Sequence, residues 1–186
     1  LSTMGATPDD DNTLSPDNSE VLKQMLENSL ADSKRLSAML DAAQSVLTMD
    51  SFTSTARKIF DQASQTIGST SGYVALLSED GQENQVLFLE AGGRPCTVNP
   101  NLPMPIRGLR AEAYKDNKAV SDNDFMNSRW QMLMPKGHVT LDNVLFAPLI
   151  VEGKTVGIMG LANKPGGFSE KDLEVASGFG HLAAIA

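Results

Sequence analysis

The length and composition of the chain are those of one ordinary globular domain with an appendage. It has 186 residues, 41% hydrophobic and 20% charged, a balance typical of a protein with a buried core. No apolar run has the length of a membrane span and no signal-peptide pattern opens the chain; together with a single cysteine, Cys96, this favours a cytoplasmic protein without disulfides and without membrane contact. Five of the eight net negative charges fall in residues 1–20 and no basic run follows, which argues against nucleic acid as a partner.

The N-terminal segment divides into a polar tail and a helix. Residues 1–19 are rich in Asp, Ser, Thr and Pro, which predicts a disordered acidic tail or a remnant of cloning. Helical patterning starts near Pro16, and residues 20–48 are predicted to form a helix. A four-three spacing, typical of a heptad seam, links Leu22, Leu26, Ser29, Ser33, Leu36, Leu40, Ala43 and Leu47. Two interpretations stay open: an amphipathic helix lying on its own domain, or a helix that forms a homodimer.

A second helix and a hairpin follow. Asp50 and Ser51 are cap-type residues, apolar residues then recur at helical spacing from Phe52 to Ile67, and Gly68 ends the pattern. The period then changes to that of strands in "SGYVALLSEDGQENQVLFLE", where Asp80-Gly81 predicts the hairpin turn.

The second half of the chain predicts irregular cover over a buried hairpin. Residues 91–108 are predicted to form a loop, "GLRAEAYKDNK" a short helix, "AVSD" a short strand and "NDFMNSRWQMLM" another short helix capped by Asn123 or Asp124. The strand at 144–151 is apolar at nearly every position, so both of its faces should be covered. Its hairpin turns at Glu152-Gly153, and Ser169 is predicted to cap the last helix. Gly157 and Gly160 are expected to allow close approach of neighbouring backbone or a helix.

These elements predict an α+β fold. A central antiparallel sheet would carry helices on one face, and the segment 91–142, made of loops and short helices, would form a roof over the other. A sheet covered by long loops is a common way to enclose a small-molecule pocket.

Residues 36–186 resemble a GAF domain, a PAS-like sensor module of bacterial and archaeal signalling proteins. Three stretches in order carry the resemblance, namely "YVALLSEDGQ", "GLRAEAYKDNKAVSDND" and "LFAPLIVEGKTVGIMGLANK…FSEKDLEVASGFGHLAAIA". The resemblance implies a sheet with helices on one face and a ligand-binding roof on the other. It also implies that the chain is part of a longer protein whose effector domain is joined through the last helix.

The resemblance implies several possible ligand classes, and particular residues of this sequence argue against some of them. Asn163-Lys164 and Phe168-x-x-x-Asp172 match part of the cyclic-nucleotide motif, but Leu173 stands where that motif has Glu, so we expect a local Lys164–Asp172 contact instead. Cys96 is followed by Thr97, unlike the usual bilin attachment site, and one cysteine does not suit sulfoxide reduction. Haem would need an axial ligand, for which only His138 and His181 are present. No cofactor, catalytic residue or metal ligand is therefore assigned.

The candidate binding residues lie in the roof. Arginine forks suit carboxylates and phosphates, and a tryptophan can stack on a flat ligand. The roof contains Arg94, Arg107, Arg110, Arg129, Trp130 and His138. Of these and their neighbours, we expect Arg107, Trp130, His138 and Asn143 to point into a cavity and bind an unknown small molecule.

The sequence therefore predicts a sensory domain, not an enzyme by itself. It would bind a small molecule and signal to an effector, with a histidine kinase of a two-component system expected. The alternatives are a dimerisation module without a ligand, a cyclic-nucleotide-binding domain and an enzyme that uses Cys96.

Overall fold

A computed structural model describes residues 16–48 and 51–186. Apart from its last four residues, the predicted acidic tail lies outside the described residues, as does the cap candidate Asp50. The chain divides into two compact units after Lys34. The described residues of the first unit are helical, and the sheet belongs entirely to the second.

The element order is the predicted one. The helices are α1 (Pro16–Thr48), α2 (Phe52–Ile67), α3 (Leu109–Asp116) and α4 (Glu170–Ala184). The strands are β1 (Ser71–Leu77), β2 (Asn84–Glu90), β3 (Val120–Asp122), β4 (Val144–Val151) and β5 (Lys154–Ala162). The strands form one five-stranded sheet in the order β2-β1-β5-β4-β3, and each neighbouring pair is antiparallel. The predicted α+β fold is confirmed.

The hairpin turn and the helix caps lie at the residues predicted from the sequence. Glu152 and Gly153 both have positive φ, at 49° and 76°, as a two-residue hairpin with right-handed strand twist requires. Ser169 caps α4 through a capping box with Asp172. Ser51 precedes α2, although its side chain makes no capping hydrogen bond.

The segment "NDFMNSRWQMLM" departs from the prediction. It forms two short 3-10 turns, Phe125–Asn127 and Gln131–Leu133, instead of one α-helix. Asn123 does not cap them; its side chain exchanges two hydrogen bonds with the backbone of Phe168, at 2.7 and 2.9 Å. The asparagine therefore joins the roof to the start of α4, a non-local contact that local sequence does not reveal.

Each face of the sheet has its own apolar cluster. On one face, the end of α1, α2 and α4 pack on the sheet around the fully buried side chains of Phe60, Leu145, Met159, Leu161 and Phe179. On the other face, α3 and the 3-10 turns lie over a second cluster that includes Leu109, Phe125, Val144, Phe146 and Ile158. Because β4 and β5 lie inside the sheet, they contribute to both clusters, as the apolar run of β4 predicted.

A β-bulge in β2 changes what its side chains face. Val74 pairs with Phe88 and Ala75 pairs with Val86, so Leu87 is an extra residue on β2. Leu87 and Phe88 consequently pack with the helix layer, whereas Val86 and Leu89 both lie on the roof side.

Candidate functional site

A cavity of about 700 Å³ lies between the sheet and the roof, within the range of about 300–1,000 Å³ that is usual for small-molecule sites. The sheet contributes Tyr73, Val86, Leu89, Val144, Phe146 and Gly160 to its wall. The roof contributes mainly apolar side chains, among them Val98, Leu102, Met104, Leu109, Phe125, Trp130, Leu133, Met134, Val139 and Leu141. The predicted roof therefore encloses space and does not pack solidly onto the sheet.

Part of the apolar wall is exposed to solvent. Val86, Leu89 and Leu102 all line the cavity, yet they remain 43%, 52% and 50% exposed. Apolar side chains gathered around a concave space, in contrast to single exposed ones, are typical of binding sites.

Arg110 is the cation most firmly placed in the cavity wall. It is the second residue of α3, which begins after Gly108, a glycine with a φ of 68°. Its Nη2 donates to the carbonyl of Pro105 at 2.8 Å and its Nη1 donates to the hydroxyl of Tyr73 at 3.2 Å. Its Nε is buried and has no hydrogen-bond partner among the described residues. Leaving a buried donor unpaired costs about 1–3 kcal/mol, and each Nη of Arg110 carries a second N–H that can donate to a ligand.

The glycine beside Tyr73 in the sheet leaves room for the Tyr73 ring. Tyr73 on β1 pairs with Gly160 on β5, and a Cβ added to Gly160 would lie 2.6 Å from the Tyr73 ring. The absence of a side chain at 160 thus makes room for the ring that supports Arg110. The predicted close approach of neighbouring backbone is confirmed at Gly157, where an added Cβ would lie 2.5 Å from the carbonyl oxygen of Ala75, whereas at Gly160 the close neighbour is the Tyr73 side chain.

No acidic side chain among the described residues neutralises the positive charge of Arg110. Among the described residues that line the cavity, Glu90 is the one carboxylate. It accepts hydrogen bonds from Arg57 at 3.4 Å and from the backbone of Gly92 at 3.0 Å. The described part of the chain forms no ion pair with Arg110. Burial, the largest influence, raises the pKa of the neighbouring Tyr114 well above its usual value, so Tyr114 stays protonated and does not supply the negative charge.

Three of the four predicted site residues line the cavity. Arg107 is exposed, and its Nη2 donates to the carbonyl of Leu133 at 2.9 Å, which joins the loop before α3 to the second 3-10 turn. Trp130 is half-buried, with the Arg129 guanidinium 4.1 Å from its ring centre. His138 lines the cavity with Nδ1 2.8 Å from the carbonyl oxygen of Val139, to which Nδ1 donates a hydrogen bond.

The structure places the fourth, Asn143, outside the cavity. Its side chain donates to the carbonyl of Lys164 and accepts from the Lys164 N–H, both at 2.8 Å, and the residue is 6% exposed. Side chains alternate along a strand, so Asn143 faces away from the side to which its neighbour Val144 points. Its amide joins the start of β4 to the end of β5.

Tyr73 was not among the binding residues predicted from sequence, and Arg110 was not preferred over the other roof arginines. Arg94 is held by Asp142 at 2.7 Å and Arg129 lies near Glu112 at 3.4 Å. Strand alternation would have placed Tyr73 on one face of β1, but which face the roof covers depends on the whole fold.

The predicted Lys164–Asp172 contact is present. Lys164 Nζ donates to the Asp172 carboxylate, which also accepts from the backbone N–H and the hydroxyl of Ser169. The pair joins the end of β5 to the first turn of α4, and neither residue lines the cavity. Asp172 is 3% exposed, so the pair is more buried than a surface ion pair.

The remaining candidates are dispersed. Cys96 is exposed and lies at the cavity wall, whereas His181 is exposed on α4 beside a separate groove of about 310 Å³. Across residues 16–48 and 51–186, no three or more His, Cys, Asp or Glu side chains come together in a way that could hold a metal ion. No helix in that part of the chain combines the length and apolar character of a membrane span.

The family comparison identifies the domain that carries this fold and cavity: the GAF domain model matches residues 50–186, so the chain belongs to the GAF family. No curated protein matches the chain significantly.

Solved structures similar to the chain are GAF domains and GAF-fold proteins at low sequence identity. The GAF domain of an Acinetobacter phosphoenolpyruvate-protein phosphotransferase has a TM-score of 0.66 at 17% identity, covering 80% of this chain and 89% of that chain. A GAF domain assigned to a sensor histidine kinase of Pseudomonas syringae pv. tomato has a TM-score of 0.58 at 15% identity, covering 86% and 89%. Free methionine-R-sulfoxide reductase of Neisseria meningitidis, solved with its substrate, has a TM-score of 0.64 at 13% identity, covering 81% and 86%. At these identities the likeness establishes the fold alone.

Proposed function

We propose that this GAF domain is the sensory module of a cytoplasmic signalling protein, that it binds a small molecule in the cavity between sheet and roof, and that it acts on an effector domain, with a histidine kinase the expected one. The observation that carries the proposal is the cavity of about 700 Å³, whose apolar wall contains a buried arginine donor without a partner. An apolar pocket with a few convergent polar groups is the usual form of a small-molecule site.

The sheet offers a route from the cavity to the helices. Val144 and Phe146 of β4 line the cavity, while Leu145 and Ala147 of the same strand belong to the helix-side cluster. On that side, a Cβ added to Gly180 of α4 would lie 2.7 Å from the carbonyl oxygen of Pro148. A ligand that shifts β4 would therefore displace α4 as well, because a closely packed contact of this kind does not deform freely.

The residues present favour ligand binding over catalysis. The similarity to a sulfoxide reductase concerns the fold, and this chain has one cysteine in its whole sequence. A thiol needs a base or a positive environment to become an activated nucleophile, and no hydrogen bond joins Cys96 to His138 among the described residues.

Native mass spectrometry of the purified protein tests the binding function. A stoichiometric bound molecule, released on denaturation, is the expected result. The fluorescence of Trp130, the one tryptophan, should change when the emptied protein is given that molecule. Purified protein that carries nothing and shows no saturable fluorescence response to a metabolite library would contradict the proposal.

We also propose that the module is a homodimer through α1. In the second unit, Ala42 and Ser45 of this helix are buried against the domain, whereas Leu36, Leu40 and Leu47 are 60%, 59% and 85% exposed. At 100° per residue the exposed leucines lie on a different face from the buried residues. In the first unit, Leu22 and Leu26 of the seam are 50% and 70% exposed.

Sedimentation of point variants tests the dimer. Leu40→Glu should shift the protein to monomer, because a charge in the seam would be buried against a second copy. Asp41→Lys, at an exposed position outside the seam, is the control for a changed charge and should remain dimeric. A dimer that survives Leu40→Glu, or a wild-type monomer, would remove α1 as the interface.

A further inference from the structure

We propose that the ligand is an amphipathic monocarboxylate, a molecule with one carboxylate and an apolar, ring-sized or medium-chain body, and that Arg110 binds the carboxylate. This inference rests on the proposed function, since it specifies what the cavity takes.

The charge of the site selects an anion. Arg107 and Arg110 line the cavity, and the one acid among its described lining residues, Glu90, already accepts hydrogen bonds from Arg57 and Gly92. The charge of Arg94 is paired with Asp142. Arg110 differs, because it donates only to neutral oxygens, the carbonyl of Pro105 and the hydroxyl of Tyr73. A carboxylate would add the missing negative charge and accept from the second N–H that each Nη of Arg110 carries.

Arg110 is also oriented before a ligand arrives. Its Nη2 is fixed to the Pro105 carbonyl and its Nη1 to the Tyr73 hydroxyl, and the Tyr73 ring lies over Gly160. An arginine held in this way loses little freedom when it binds, so more of its interaction with the carboxylate appears as affinity.

The rest of the wall selects an apolar body. Val86, Leu89 and Leu102 expose apolar surface into the cavity mouth, and Val144, Phe146 and Leu133 continue that surface inward. Several of the polar lining groups already have partners inside the protein: Ser71 donates to Ala91 at 3.2 Å and the Asn99 side chain accepts from Asn101 at 2.9 Å. A ligand with many hydroxyl groups, such as a nucleotide, would find few acceptors and donors for them.

The test compares acids with their uncharged amides on the intact protein. The probes are 3-phenylpropionate, 4-phenylbutyrate and octanoate, each paired with its primary amide, and cyclic GMP as a polar anion. Binding is followed by Trp130 fluorescence and by calorimetry at neutral pH. We expect at least one acid to bind about tenfold or more tightly than its amide, equivalent to about 1.4 kcal/mol, and cyclic GMP to bind more weakly than that acid.

Variants assign the preference to Arg110. Arg110→Gln should remove the difference between acid and amide, and Arg110→Lys should restore only part of it, because an ammonium lacks the guanidinium fork. Lys115→Gln removes a positive charge from an exposed position of the same helix and should leave the difference intact. If Arg110→Gln does not fold, the acid–amide comparison on the wild-type protein and on Arg110→Lys still decides the matter.

Several results would overturn the proposed ligand class or its assignment to Arg110. These are equal binding of acid and amide, an acid preference that Arg110→Gln retains, tighter binding of cyclic GMP than of the acids, or no saturable binding of any acid. In each case, a neutral or polar molecule found in the native protein by mass spectrometry would leave the sensory function standing, whereas a protein without any bound molecule would remove both proposals.

Discussion

The two faces of the five-stranded sheet are covered in different ways. On the helix face, the sheet packs with α2 and α4 around Phe60 and Phe179, which are 2% and 0% exposed. On the roof face, loops and short helical turns leave a cavity of about 700 Å³, and Leu89 of β2 stays 52% exposed.

The difference separates stability from binding within one domain. Helices present continuous apolar faces and satisfy their own backbone groups, so they can close against a sheet without leaving voids. Loops must satisfy backbone and side-chain groups individually, as Arg107 does with Leu133 and Asn123 does with Phe168, and their apolar packing is correspondingly incomplete. We therefore expect substitutions on the helix face to change mainly the free energy of unfolding, and those on the roof face to change mainly binding.

The largest expected effect is on the helix face. Phe179→Ala should lower the free energy of unfolding by about 3–5 kcal/mol, because it removes a fully buried ring and leaves a cavity. Leu133→Ala, at a half-buried roof position, is the comparison and should cost clearly less. Urea denaturation measures both, and equal losses would show that the two faces contribute to stability alike.

Two glycines of α4 give a sharper test of packing on that face. Gly180→Ala should destabilise the protein by about 1–3 kcal/mol, because its Cβ would lie 2.7 Å from the Pro148 carbonyl oxygen, a backbone atom that cannot move alone. Gly178→Ala meets only the terminal methyl of Met39, at 2.6 Å, and removing a helical glycine gains up to about 1 kcal/mol. Thermal melting should therefore rank Gly178→Ala above Gly180→Ala, and the reverse order would mean that α4 lies farther from β4.

Asp172 connects the sheet to α4 and should make stability depend on pH. Burial, the largest influence, raises its pKa, but hydrogen bonds from Lys164 and Ser169 outweigh burial and hold the pKa below its usual value. A lowered pKa in the folded state means that the stabilisation is present above the ordinary carboxyl pKa of about 3.9 and is lost as the pH falls through the folded-state value.

Asp172→Asn should consequently lower the free energy of unfolding by about 1–2 kcal/mol near neutral pH, and the difference from the wild type should shrink below about pH 4. Asp61→Asn, at a 54% exposed ion pair on α2, is the control and should cost about 0–1 kcal/mol. A gap between wild type and Asp172→Asn that is constant from neutral to acid pH would contradict this assignment.

The smallest effect on stability is expected at the cavity mouth. Leu89→Ser should change the free energy of unfolding by no more than about 0.5 kcal/mol, since the side chain is half exposed. It should nevertheless weaken binding of 3-phenylpropionate, whereas Gln85→Ser, on the same strand but outside the cavity wall, should not. A large loss of stability in Leu89→Ser would mean that the roof face is as tightly packed as the helix face.

Much of the fold followed from local sequence. Asp80-Gly81 and Glu152-Gly153 marked the two hairpins, and Ser169 with Asp172 marked the start of α4, because positive φ angles and helix caps restrict which residues can occupy these positions. The continuous apolar run of β4 indicated a strand covered on both faces. The seam of α1 was visible as well, although local pattern alone left open whether it faces the domain.

The binding site depended on tertiary structure. Sequence placed several arginines in the roof, and the cavity contains both the expected Arg107 and the unselected Arg110, while Asn143 is turned away to pair with Lys164. Which arginine is supported follows from contacts between distant segments: Arg110 at the start of α3 donates to the hydroxyl of Tyr73 on β1, and Tyr73 has room because β5 brings Gly160 beside it. Local patterns fix turns, caps and strand faces, since those depend on neighbouring residues, but the partners of a side chain across a sheet are decided by strand register and loop path, which exist only once the chain has folded.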